Sequence, residues 1–455
     1  MAVLRMPEHI YRRVHRHLFT ERGEHFAFLR ARWTSSAGCP VLMVHEAQLI
    51  PDDQLMVDDD GGHAVSLESI VDTLNVARHS GDALIEVHNH GGDRPRFSDT
   101  DLRGIREFVP FVRRRLPDRP YAATVWAGDE VFGVAFLPDG SEVSIDRVTV
   151  IGEQLRQIAS GDDTDEQALA AFDRQVRWLG PAVQREAGRV RVAIVGLGGL
   201  GSHVAQQTSL FGVRDFVLVD HDVVQDSDLA RLVTATFKDV GRLKVDATAG
   251  SIKRWRPDAI RLVIVSRNVR DKDALDALKG VDFIFGCVDN DGARLILNEL
   301  ALAYGIPYLD LATGILKMQD DWTAGGRICF VKPGGSCLYC ANEVDIVEAR
   351  YFLGNGEEQR HARERGYAKG LDVPAPSVCA LNGLVASAAV NKFILYFSGS
   401  RRIAPYVAYD LLGRRRDESG QRMMSRIVNQ LDGCPECAKS GRGDATRIER
   451  FHPTS

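Results

Sequence analysis

The order of apolar and polar positions divides the chain into a first third of mixed patterns and a longer remainder in which strands and helices alternate. Ile10, Val14 and Leu18 recur at helical spacing, and Pro7 and Glu8 suit a first turn. Residues 26–33 alternate like a strand, and residues 40–44 read as a short buried strand delivering Glu46. Residues 67–78 form an amphipathic helix pattern, and the apolar strand 83–87 ends in His88-Asn89-His90. A helical run from 100 to 109 follows, with Ser98 placed as its N-cap. Residues 141–150 close this region, 151–158 read as helix, 160–165 as a polar linker, and a helix resumes over 165–179. Strands are then predicted at 192–196, 216–219, 262–265, 282–285 and 308–312, and helices at 202–211, 244–254, 271–278 and 292–304. Such alternation gives a parallel sheet with helices on both faces. A further apolar helix covers 384–397, and the tail 438–455 is polar and reads as loose.

The 455 residues allow two or three domains, each with a sizeable core. A hydrophobic share of 44%, a charged share of 26% and a net charge of −5 describe a soluble globular protein with no basic field for nucleic acid. The N-terminus has no apolar core of signal-peptide length, and no later run is read as a membrane span, so the expectation is cytoplasmic. Four of the eight cysteines form two Cys-x-x-Cys pairs, Cys337/Cys340 and Cys434/Cys437. In a reducing compartment two such pairs point to a closed four-thiolate zinc clip rather than to disulfides.

The strand at 192–196 runs directly into Gly196, Gly198, Gly199 and Gly201, followed by Ser202 and a helix. Glycines there permit a tight turn and close approach of a phosphate, and the helix N-terminus offers free N–H groups to it. The next strand ends in Asp220, where a doubly wound sheet places a carboxylate for a ribose hydroxyl. NAD fits this much. Against it stand Arg231 and Lys244 as phosphate-directed cations, and Asp289 just past the strand that begins at Asp282, where a carboxylate can hold Mg²⁺ against a triphosphate. No His or Tyr proton donor for hydride transfer stands out.

In the first third, His88 and His90 are two apart on an extended backbone and aim at one point. Ser98 and Asp101, three apart at a helix start, share a face. Two imidazoles and one carboxylate leave an open position on a tetrahedral zinc, with Glu46 as candidate base. Glu46, His88-x-His90 and Ser98-x-x-Asp101 resemble the signature of the JAMM (JAB/MPN) metalloprotease family, over roughly residues 1–148. Gly91 departs from it, since many members carry Pro there. The resemblance implies an α+β domain that cleaves peptide or isopeptide bonds behind the C-terminal glycine of ubiquitin-like proteins. Zinc would lower the pKa of its bound water towards about 7. Glu46 would take the proton and return it to the leaving amine, and Ser98 would steady the oxyanion.

The glycine turn with Ser202, then Asp220-x-Asp222, Leu229-x-Arg231, Lys244, and Asp289-Asn290 with Arg294, resemble the ThiF/MoeB/HesA family of ubiquitin-activating-type adenylyltransferases, over about residues 170–438. That resemblance implies ribose contact at Asp220, phosphate contacts at Arg231 and Lys244, and Mg²⁺ at Asp289. It also implies that Arg174 reaches a phosphate of a neighbouring subunit in a homodimer. Asp228 and Ala230 depart from positions that are usually Asn. The family includes members with a four-cysteine clip. Many relatives pass the activated carboxyl group to a cysteine in a crossover loop, here about 343–376, which contains none. Cys379 follows and reads as packing near a helix start, as do Cys39, Cys287 and Cys329 near strands.

The expected organisation is α/β: a JAMM-like domain (1–148), a helical linker (149–182), a Rossmann-like adenylyltransferase domain with its zinc clip (183–438) and a flexible tail (439–455). The expected function joins zinc-dependent cleavage and ATP-dependent adenylation on one ubiquitin-like or ThiS/MoaD-like small protein with a glycine C-terminus. A separate conjugating or sulfur-donor protein would then take the product. The alternatives are sulfur-carrier activation for thiocarboxylate formation in cofactor or amino-acid synthesis, and a non-catalytic scaffold that binds such a tail.

Overall fold

The structure, a computed structural model, describes residues 2–20, 23–36, 39–57, 63–92, 94–145, 147–159, 170–258, 261–318, 321–355, 357–360, 376–400, 402–412 and 422–451. Two compact units are present: Met1–Thr164 with Gly441–Asp444, and Asp165–Ser440 with Ala445–Ser455.

The first unit holds strands β1 (Val3–Pro7), β2 (Phe26–Ser36), β3 (Cys39–Leu49), β4 (Leu55–Val57), β5 (His63–Val65), β6 (Ala83–Asn89), β7 (Tyr121–Ala127), β8 (Glu130–Phe136), β9 (Glu142–Ile145), β10 (Arg147–Ile151) and β11 (Leu155–Ala159). Its helices are α1 (Glu8–Phe19), α2 (Leu67–Ser80) and α3 (Asp99–Arg115). Nine strands form one sheet in the order β11-β10-β1-β3-β2-β6-β7-β8-β9, and β4 pairs β5 alone. The period-2 alternation of the strands splits the core between the two faces. Ile85 and Val87 of β6 join Ile10, Val14 and Leu18 of α1, whereas Leu84 joins Leu74 of α2 and Val109 of α3.

Two expectations fail here. Residues 151–158 are not helical: they end β10 and form most of β11, which closes the sheet edge against β10 in antiparallel register. Gly152 supplies the reversal; a Cβ there would lie 1.9 Å from the Glu8 carboxylate. The first unit therefore extends well beyond residue 148. The charged stretch 160–165 lies outside the described residues.

The second unit contains α4 (Asp173–Leu179), α5 (Pro181–Arg189), β12 (Arg191–Val195), α6 (Gly199–Phe211), β13 (Asp215–Val219), α7 (Lys244–Trp255), β14 (Arg261–Val265), α8 (Lys272–Lys279), β15 (Phe283–Gly286), α9 (Asp291–Ala303), β16 (Tyr308–Met318), β17 (Asp321–Val331), α10 (Ile346–Leu353), α11 (Cys379–Phe397), β18 (Tyr406–Asp410) and β19 (Arg422–Arg426). The sheet order is β14-β13-β12-β15-β16-β17-β18-β19, parallel from β14 to β16 and antiparallel beyond. β12 and β15 are buried at every residue, as strands covered on both faces must be. They are neighbours although two βα units separate them in sequence, so the strand order reverses between them and a crevice opens at their carboxyl ends.

α11 is long and apolar enough to cross a bilayer by length and composition, contrary to the sequence reading. Here it packs in the unit's core: Phe393 is fully buried, with its ring centroid 4.8 Å from Phe283, 5.5 Å from Phe285 and 6.1 Å from Phe211. The tail is not loose through residue 451 either. Ile448 is buried, and Arg450 and Lys439 both pair with the buried carboxylate of Glu299. Truncating Phe393 to Ala should destabilise the second unit by about 3–5 kcal/mol. Urea unfolding should then show an earlier transition for that unit and an unchanged one for the first, whose core is separate.

Candidate functional sites

In the second unit, β12 ends at Val195 and Gly196 turns the chain with φ +85°. Gly201 then crosses directly above: a Cβ there would lie 1.9 Å from the Gly196 carbonyl oxygen. Gly199 is similarly closed off by the Asn382 amide at 2.1 Å. Only Gly198 of the four would project a Cβ into open space. Most of the cluster is thus required by strand–helix packing, and Gly198, capping α6, is the one that leaves room for a ligand. Ser202 is fully buried, donates to the Gly199 carbonyl at 2.9 Å and does not line the cleft.

Asp220, at the end of β13, accepts from Leu197 N–H at 2.6 Å and from Asp222 N–H at 2.8 Å. Burial pushes its carboxyl above the usual range, against the pull of those amides and of Lys244. Lys244, buried at the start of α7, reaches Asp222 at 2.9 Å and Asp228 at 3.7 Å. Burial opposes its charge, but these carboxylates outweigh burial and raise its pKa. Asp228, the departure noted in the sequence, is itself buried and receives two bonds from Arg231, at 2.8 and 3.1 Å. It therefore positions both cations while offsetting part of their charge.

Asp289 is exposed beyond β15, with Asn290 donating to it at 3.2 Å and capping α9. Gly198, Asp220, Arg231, Lys244 and Asp289 surround one cleft of about 580 Å³. Arg294 borders it too, tied to Asp291 and to the Val288 carbonyl. Arg174 does not; it is exposed on α4. The sequence reading missed Arg267, Asn382 and Thr313 on the cleft wall, since they come from a distant loop, helix and strand with no local motif.

Cys379 is the first residue of α11, as expected, but it is not mere packing: its Sγ lies 3.4 Å from Nε2 of His203 on α6. Burial lowers the pKa of that imidazole. Burial also pushes the Cys287 and Cys329 thiols up. The pairs Cys337/Cys340 and Cys434/Cys437 converge, with Sγ separations of 3.7 Å (337–340), 3.8 Å (337–434) and 3.6 Å (340–437). Disulfide sulfurs would sit at about 2.05 Å. Tetrahedral ligands about 2.3 Å from one zinc would be roughly 3.8 Å apart, so the arrangement is compatible with a zinc clip.

In the first unit, His88, His90 and Asp101 bring ligand atoms within 4.8 Å of one another. Asp101 lies 3.6 Å from His88 Nε2 and 3.3 Å from His90 Nε2. Among the described residues, both ring nitrogens of His88 are buried without a hydrogen-bond partner. Burial acts against ionisation of Asp101, but the His88 imidazole and the Ser98 amide and hydroxyl hold its carboxyl far below the usual range. Ser98 caps α3 as expected; its hydroxyl donates to Asp101 Oδ2 at 2.8 Å, so steadying an oxyanion requires that hydroxyl to turn away.

Glu46 is not at this cluster. β3 runs on to Leu49 through a bulge at His45, so Glu46 is a mid-strand residue paired with Arg30 in register and by ion pair. Arg30 in turn pairs with Leu84, four residues before His88 and one strand over, about 14 Å along the sheet. The carboxylate the structure places at the cluster is Glu24, with Oε1 3.7 Å from His90 Nε2. It precedes β2, the strand adjacent to β6. Its signal in the sequence was an acid just before the alternating run that begins at Phe26.

A family profile described as the ThiF family matches residues 172–425. The chain belongs to the ThiF family. It is 32% identical over 162 residues to the adenylyltransferase and sulfurtransferase MOCS3 of Mus musculus, covering 36% of this chain and 34% of that protein. It has the same identity over 162 residues to the SAMP-activating enzyme E1 of Haloferax volcanii, covering 57% of that protein. Against ubiquitin-like modifier-activating enzyme 5 of Oryza sativa subsp. japonica it is 27% identical over 235 residues, 49% of this chain and 51% of that one. The chain thus spans between a third and somewhat over half of these relatives. A crystal structure of E. coli MccB with MccA-N7isoASN aligns at TM-score 0.47 and 17% identity, over 60% of this chain and 75% of that chain.

Gly201→Ala should leave the second unit unfolded or insoluble, because its Cβ meets backbone. Gly198→Ala should melt within about a degree of the parent in a thermal scan, because its Cβ meets nothing.

Proposed function

We propose that this chain adenylates the C-terminal glycine of a ubiquitin-like or sulfur-carrier protein in its second unit. We further propose that its first unit cleaves peptide or isopeptide bonds next to such a glycine. The observation that carries the first part is the convergence of Gly198, Lys244, Arg231 and Asp289 on one cleft in a ThiF-family chain. The relatives' names add support: they are activating enzymes for ubiquitin-like modifiers and SAMP, and an adenylyltransferase and sulfurtransferase.

ATP lies with its phosphates over Gly198 and the N-terminus of α6. Asp220 receives a ribose hydroxyl, and Asp222 and Asp228 hold Lys244 and Arg231 ready for the phosphates. Asp289 is the residue that would hold Mg²⁺, which supplies charge neutralisation to the triphosphate. The glycine carboxylate attacks the α-phosphorus, pyrophosphate leaves with the electron pair, and an acyl-adenylate remains. Arg174, exposed on α4, is free to serve a second copy of the chain, as a homodimer would require. The four cysteines would hold a structural zinc.

The orphaned nitrogens of His88, beside His90 and Asp101, fit a divalent cation, and nitrogen–oxygen ligation of this kind suits zinc. Zinc bound there supplies Lewis acidity and a water acidic near pH 7. Glu24 accepts the nucleophile's proton and passes it to the departing amine. Asp101 is kept ionised by Ser98 and His88, so it stays a ligand over the whole neutral range.

ATP–pyrophosphate exchange that depends on a glycine-ended partner tests the first part; no exchange with any partner would leave only a scaffold that binds such a tail. Sulfide-dependent thiocarboxylate on the partner, rather than lysine conjugates, would assign the chain to sulfur transfer. Asp289→Ala should reduce exchange at least about 100-fold and leave hydrolysis intact. Glu24→Gln should do the reverse, with zinc content unchanged, whereas Glu46→Gln should cleave at nearly the parent rate. Equal losses from Glu24→Gln and Glu46→Gln would refute the assignment of the base.

A further inference from the structure

Asn89 stands between the two histidines and faces the opposite side of the sheet. It is 3% exposed, and a buried primary amide must place both its carbonyl and its NH₂. Both go to one short stretch of chain. Oδ1 accepts from His25 N–H at 2.7 Å, and Nδ2 donates to the Gly23 carbonyl at 3.0 Å. The residue bracketed by these two bonds is Glu24.

The pairing of β2 with β6 stops at Phe26 opposite His88. One step further, the Asn89 side chain does what a strand would do, taking one bond and giving one to the residues on either side of Glu24. The preceding residue, Gly23, sits at φ +136°, a backbone conformation open to glycine, so the chain can turn into the clamp there without strain.

We propose that Asn89 is a positioning residue for the hydrolytic site: it clamps the backbone at Glu24 and so keeps that carboxylate beside His90, at 3.7 Å. The end of β6 and the residue that follows it then carry ligand, clamp and ligand in succession (His88, Asn89, His90), and the base is registered to the metal ligands through the end of β6. The catalytic consequence rests on the hydrolase reading given above; the clamp does not.

The test uses the full chain loaded with Zn²⁺, as parent, Asn89→Ala, Asn89→Asp, Glu24→Gln and the Asn89→Ala/Glu24→Gln double variant. Three quantities are measured: amide hydrogen exchange at His25, Zn²⁺ affinity in competition with a chelator, and cleavage of a peptide ending in Gly-Gly-aminomethylcoumarin. In Asn89→Ala, His25 should exchange at least about tenfold faster, zinc affinity should stay within about twofold, and kcat should fall about 10–100-fold at unchanged KM. Adding Asn89→Ala to Glu24→Gln should cost nothing more. Asn89→Asp keeps the acceptor for His25 N–H but loses the donor to Gly23, so it should protect His25 and still lose about tenfold in kcat. That variant carries the test if the alanine form does not fold, and an unchanged kcat in it overturns the proposal. Unchanged His25 exchange in Asn89→Ala overturns the clamp. Zinc loss in proportion to activity, or full additivity with Glu24→Gln, overturns the positioning role. A parent chain that binds no Zn²⁺ at the histidines, while Asn89→Ala still frees His25, sinks the hydrolase reading and supports the clamp.

Discussion

Backbone polar groups need partners even where a β-ladder stops, and in both units the site lies at such a stopping point. In the second unit β12 and β13 run out together, and the Leu197 and Asp222 N–H groups beyond them are taken up by the two oxygens of Asp220. In the first unit β2 leaves β6 after Phe26, and Asn89 takes over the next pair of groups. Each of these buried side chains completes a sheet and thereby fixes a loop. The loops are those that carry Gly198 in one unit and Glu24 in the other, so the fold and the proposed chemistry share the same hydrogen bonds.

The two sites differ in how their charges are arranged. The cleft of the second unit is a balanced lattice: Asp222 and Asp228 hold Lys244, and Asp228 also holds Arg231. Such pairing limits the rotamers of long cationic side chains, so less order has to be created when a polyanion arrives. It also offsets part of the positive field, and burial of Asp220, Asp228 and Lys244 makes each of those contacts matter more than it would in water. The histidine cluster is sparse by comparison. His88 has two buried nitrogens and, among the described residues, no hydrogen-bond partner closer than the 3.6 Å approach of Asp101, an arrangement that costs free energy unless a cation repays it.

Several parts of this were legible one residue at a time. The spacing of His88 and His90, the Ser98 cap three residues before Asp101, and the two Cys-x-x-Cys pairs are short-range facts, and the structure brings each set together. The βα alternation gave the parallel core strands nearly to the residue, because fully buried strands are continuous apolar runs. What misled was the length of a strand. A short apolar run at 40–44 looked complete, yet β3 continues through the bulge at His45, and this moved Glu46 from a strand end to mid-strand beside Arg30. The run at 151–158 failed for a similar reason: a sheet edge offered β10 and β11 more backbone pairing than an isolated helical turn could.

Local periodicity and motif spacing decided which residues could act, since ligand pairs on one strand or one helical turn need no distant partner to face the same way. Which carboxylate meets the histidines, which glycine opens to the cleft, and which thiol gains an imidazole were settled only by tertiary packing. Those outcomes depend on strand order and register, in which Glu24 neighbours His90 across more than sixty residues of chain, and no window of sequence contains that distance.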